Sequence, residues 1–82
     1  MINANKQKLT LDRPTAYQIK VPGHLDERWS DWVENMKIEI DDDEIPITIL
    51  TCKIDQAALL GLLRRLNSLG LPLISVKWLG KE

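Results

Sequence analysis

His24 is the first residue to weigh for chemistry, being the single histidine of the chain and standing after Gly23 just ahead of a helix-like segment. An imidazole at such a place could serve as a base, or meet an anion beside backbone N–H groups. Asp26 could orient the ring, yet the same pair also makes a turn and a helix cap. No nucleophile or second ligand lies nearby in the sequence, so the structural account is preferred. Asp55-Gln56 is the second candidate. The aspartate is explained as a helix N-cap, and glutamine is unremarkable at the first helical position. Both candidates precede expected helix N-termini, which makes a shared ligand site of His24, Asp55 and Gln56 conceivable at one end of a sheet. The run Asp41-Asp42-Asp43-Glu44 lacks the alternating ligands, glycine and distal glutamate of a calcium loop, and reads as a solvated turn. Cys52 lies inside an expected strand, where a thiol behaves as a small apolar residue; a reactive one needs exposure and a lowered pKa. One cysteine excludes an internal disulfide, and with one histidine it leaves too few soft ligands for a structural zinc. No catalytic residue, metal or cofactor is assigned.

The three tryptophans, in a chain without phenylalanine, raise a different kind of chemistry. Large aromatic side chains are enriched at interface hot spots. Trp29 and Trp32 fit the face of a helix. Trp78 falls near the C-terminus, where it serves either the core or a contact between subunits. It joins His24, Asp55 and Gln56 as a candidate binding residue.

The elements that must position these residues follow from periodicity. Met1 to Thr15 reads as a polar, mobile arm closed by Pro14. Tyr17, Ile19 and Val21 alternate with Ala16, Gln18 and Lys20, the period of a half-buried strand that Pro22-Gly23 ends. With Asp26 as N-cap, Trp29, Trp32, Val33 and Met36 fall on one helical face and predict a short helix. Lys37 to Ile40 predicts a second strand, the acidic run a turn, and Ile45 to Lys53 a third strand that is apolar on both parities. Asp55 then caps a second helix, with Leu59, Leu62, Leu63, Leu66 and Leu69 in a stripe, Gly70 as a left-handed C-terminal cap and Pro72 as a stop. Gly61 inside that helix reads as a point of close helix–helix approach. A last strand runs from about Leu73 to Leu79.

The order β-α-β-β-α-β predicts an α+β, ferredoxin-like sandwich: a four-stranded antiparallel sheet with two helices on one face, formed by residues 16–82 as one domain. The first and third strands take the centre, the second and fourth the edges. The other face of the sheet then has no helix to cover it.

The segments Val21-Pro22-Gly23-His24-Leu25, Trp29 with Trp32, Asp55-Gln56-Ala57-Ala58-Leu59, Gly61-Leu62-Leu63 and Leu69-Gly70-Leu71-Pro72-Leu73-Ile74-Ser75-Val76 together resemble a group of short bacterial proteins of unknown function. The resemblance runs from Ala16 onward and leaves the arm outside. It implies no activity, cofactor or partner.

Composition narrows the classes that remain. Eighty-two residues with 44% hydrophobic and 28% charged content describe one small globular unit. A net charge of −1 gives no overall basic excess, which argues against a nucleic-acid binder. No apolar run is long enough to span a membrane, the first ten residues carry no signal core, and a lone cysteine suits a reducing cytoplasm. So small a domain without staples often gains stability from a partner. The expected function is therefore a non-enzymatic interaction module that forms a homodimer or docks on a larger protein, using apolar residues of the third and fourth strands. The alternative is a regulatory small-molecule-binding domain with its site near the two helix N-termini.

Overall fold

The computed structural model describes residues 9, 11–25 and 36–80 of the chain. Four strands, β1 (Thr15–Pro22), β2 (Lys37–Asp41), β3 (Ile47–Ile54) and β4 (Ser75–Gly80), form one sheet in the order β2-β3-β1-β4. Every neighbouring pair is antiparallel. The first and third strands are central, as the sequence predicts.

The helix α1 (Gln56–Ser68) connects β3 to β4. Its boundaries are chemical. Asp55 stays extended and its carboxylate accepts from the Ala58 N–H at 2.9 Å, which satisfies a donor that the first turn leaves open. At the other end Gly70 takes φ +79°, the left-handed conformation a side chain resists. The Leu71 N–H then reaches back to the Leu66 carbonyl at 3.0 Å and the Gly70 N–H to that of Asn67 at 2.9 Å, a Schellman closure. Leu59, Leu62 and Leu66 are buried against the sheet, whereas Leu69, the last member of the expected stripe, caps the helix and is 59% exposed.

The two-helix, ferredoxin-like description does not hold. Among the described residues the sheet carries a single helix, α1, on one face. The other expected helix falls on residues 26–35, outside the described residues, together with Trp29 and Trp32. Met36, counted as the last member of its apolar face, is not helical; it precedes β2 and lies buried in the core. Helical spacing of apolar residues reports amphipathicity, and a methionine entering a strand beside the core meets the same demand for burial.

Register decides which parity of each strand is inside. Tyr17, Ile19 and Val21 stand opposite Cys52, Leu50 and Thr48 on one side of β1, and Tyr17 and Ile19 opposite Trp78 and Val76 on the other. These residues share the face on which α1 packs, and Ile19, Leu50, Val21 and Leu66 are the best-buried apolar side chains. The opposite face presents Gln18 and Lys20 on β1, Thr51 and Lys53 on β3, Lys37 and Glu39 on β2, and Lys77 on β4. The bare face is therefore mostly polar, with Ile47 and Ile49 the half-buried apolar residues of β3 that it carries.

Candidate functional site

The loop after β1 is built by hydrogen bonds to β3 and its preceding turn. Gly23, at φ +86°, donates its N–H to the Pro46 carbonyl at 2.8 Å. The Thr48 hydroxyl donates to the Gly23 carbonyl and accepts from the Leu25 N–H at 3.0 Å, so its single donor and one of its two acceptor sites hold the loop. His24 then projects outward, and its Nε2–H donates to Asp42 Oδ1 at 2.8 Å. The two side chains are 57% and 61% exposed, so this is a surface pair that joins one loop to the next. Asp42 belongs to the acidic turn, in which Asp41 Oδ1 also accepts from the Asp43 N–H at 3.1 Å. That Asx-type bond makes the acidic run a hairpin turn, as its composition suggests. A cavity of about 280 Å³ beside it is lined by Asp41, Asp43, Glu44, Ile45 and Ile47. Among the described residues no group of three or more His, Cys, Asp or Glu side chains is placed to hold a metal ion.

Asp55 and Gln56 are at the other end of the sheet. The register pairs Pro22 with Ile47 and Thr15 with Ile54, so the end of β1 that leads to His24 is the start of β3, and Asp55 follows the far end. Seven residue steps of strand separate the two positions, roughly 23 Å. A site shared by His24, Asp55 and Gln56 is thus not formed. The expectation overlooked that adjacent antiparallel strands send their following segments in opposite directions. Two of the donors at the start of α1 are also engaged: Ala58 by the cap, and Gln56 by the Leu11 carbonyl at 3.2 Å.

Trp78 lies on the helix side of the sheet, half-buried against the core. Its Nε1–H donates to Thr15 Oγ1 at 2.9 Å, and that hydroxyl donates in turn to the Gly80 carbonyl at 3.1 Å. The indole therefore fastens β4 to the start of β1. Of the two roles open to it from sequence, the structure shows packing within the chain. Cys52 is buried in the core, and burial pushes its thiol pKa up, opposite to the shift a reactive thiol requires.

The edge that the sequence assigns to the last strand carries several of the apolar residues left exposed. Leu73, Ile74, Val76 and Leu79 are exposed by 45%, 47%, 42% and 38%, all on β4 or immediately before it. The Ile74 N–H donates to the Lys20 carbonyl at 2.8 Å, an offset bond that ties the bend before β4 to β1. β2, the other edge, is guarded differently. Lys37, Glu39 and Asp41 alternate along it, and Lys37 Nζ lies 3.6 Å from Glu39 Oε2. Charged edges discourage strand addition, whereas an apolar edge with unpaired backbone groups invites it. The density of aliphatic residues from Leu73 to Leu79 and the edge position of the last strand were legible in the sequence; which of these residues stay exposed was not.

Residues 16–77 match the family described as Domain of unknown function (DUF8691). No curated protein and no solved structure matches the chain.

Proposed function

The chain belongs to the family Domain of unknown function (DUF8691), and on that premise we propose that it is a non-enzymatic interaction module whose partner is a second copy of itself, bound along the outer edge of β4. The observation that carries this reading is the exposure of Leu73, Ile74, Val76 and Leu79 on or just before a strand that has one neighbour among the described residues. Burying a leucine- or valine-sized side chain gains about 1.5–3 kcal/mol relative to leaving it in water. Pairing the edge at the same time satisfies backbone donors and acceptors. The polar bare face supports the edge over face-to-face stacking, because lysines there would have to be desolvated. No helix among the described residues is long and apolar enough to cross a membrane, so a membrane-spanning helix is not what covers the apolar residues.

The test is the solution mass, by light scattering after size exclusion over a concentration series. A dimer is expected, and Val76→Lys is expected to return it to monomer while leaving the far-ultraviolet circular dichroism unchanged. A parent that stays monomeric at every concentration overturns the reading. Val76 is chosen as the probe because its neighbour on the same face, Trp78, is part of the fold's own bonding.

A further inference from the structure

We propose, resting on the self-association just described, that the two β4 strands pair antiparallel about a two-fold axis passing beside Val76. A two-fold axis normal to the sheet keeps both helices on one side and both bare faces on the other. Residues that meet across such a seam must come from the same face, so the axis falls at a residue rather than between two. Val76 and Trp78 belong to the helix side through their partners Ile19 and Tyr17, while Ser75 and Lys77 belong to the bare side through Lys20 and Gln18.

Four centres are open to a strand this short, and side-chain chemistry separates them. With the axis at Val76, Val76 meets the partner's Val76 and Ser75 meets the partner's Lys77 within the regular part of the strand, while Leu73 and Ile74, just before β4, are brought toward the partner's Trp78 and Leu79, where the strand carries its bulge. Apolar groups meet apolar groups along the seam, and the ammonium group faces a hydroxyl. With the axis at Lys77, the two lysines stand directly opposite, a destabilising arrangement of like charges. With the axis at Ser75, Lys77 sits against the partner's Leu73. With the axis at Trp78, Lys77 sits against the partner's Leu79 and Val76 against Gly80, which offers no side chain. The Val76 register centres the exposed Val76 in the seam and brings the exposed Leu73 and Ile74, just before β4, toward the bulged end of the partner strand. The product is one continuous antiparallel sheet of twice the four strands in a single chain.

Single-cysteine additions to the full chain test the register under mild oxidation, read on non-reducing gels. Directly opposed strand residues have Cβ atoms about 4.5–5.5 Å apart and diagonal neighbours about 7–8 Å, so disulfide formation reports register. Val76→Cys is expected to cross-link to a dimer several-fold more than the parent, whose own Cys52 is buried. Lys77→Cys alone is expected to cross-link no more than the parent. Chains carrying Ser75→Cys mixed with chains carrying Lys77→Cys are expected to form the mixed cross-linked dimer. That pair is a second readout if the Val76 position disfavours disulfide geometry. Light scattering separates the failures. A dimer in which Lys77→Cys cross-links by itself overturns the register and leaves the self-association intact. A dimer in which none of these chains cross-link overturns the β4 seam. A monomer overturns both.

Discussion

Tyr17 and Trp78 stand opposite one another across the β1–β4 ladder and treat their polar atoms in opposite ways. The Tyr17 hydroxyl is buried and meets no hydrogen-bond partner among the described residues. The Trp78 indole N–H is satisfied by Thr15. A buried unpaired hydroxyl costs about 1–3 kcal/mol, while a made hydrogen bond contributes about 1 kcal/mol net. Tyr17→Phe is therefore expected to leave stability unchanged or raise it. Trp78→Phe is expected to lower it by about 1 kcal/mol or more, through the lost bond and the smaller ring. Urea denaturation of the two variants beside the parent checks the pair, and the same sign for both would count against this account of the β1–β4 seam. His24 carries no comparable weight, since its bond to Asp42 is made in water.

Among the elements, α1 shows how two glycines of one helix do opposite things. Gly70 closes the helix in a left-handed conformation. Gly61 lies within the helical span, and a Cβ built on it meets nothing within 4 Å. The close helix–helix approach expected from its sequence position is absent from the described residues, so its glycine character only lowers helix propensity. Gly61→Ala is expected to stabilise the domain by up to about 1 kcal/mol. Gly70→Ala is expected to destabilise it by about 1 kcal/mol, because alanine pays for φ > 0 at the cap. Thermal unfolding of both variants measures the sign of each. The helix ends themselves were legible residue by residue: Asp55, Gly70 and Pro72 are local signals whose chemistry does not depend on the rest of the chain.

At the scale of the whole molecule, one question is where a small domain places the apolar surface it cannot bury. The helix covers one side of the sheet, mostly polar residues including four lysines occupy the other, and a run of exposed aliphatic residues lies along β4 and just before it. If β4 pairs with its copy, unfolding is coupled to dissociation and stability depends on protein concentration. The melting temperature of the parent is then expected to rise over a hundredfold increase in concentration, while that of Val76→Lys stays constant. Differential scanning calorimetry at the two ends of that range makes the comparison; a concentration-independent parent would be evidence against coupled association.

The sequence by itself determined what is local or periodic. The alternation of Tyr17, Ile19 and Val21 specified a strand and its inward face. Asp55 and Gly70 bounded a helix, and the acidic run specified a turn, because capping and turn chemistry act over three or four residues. The antiparallel order of the four strands also followed from connectivity. What only the tertiary structure decided are relations between distant segments. Ile45 to Lys53 and Leu73 to Leu79 are apolar on both parities, so hydrophobic period alone could not say which side faces the helix; the pairing with β1 settles it. Met36 satisfied a helical spacing and is buried without being helical, since burial is a property of position in space. His24 and Asp55 look alike in their local settings, yet antiparallel register carries them to opposite ends of the sheet. The edge place of the last strand was expected, but which of its aliphatic residues stay exposed was decided by the fold, because exposure depends on what packs against each side chain.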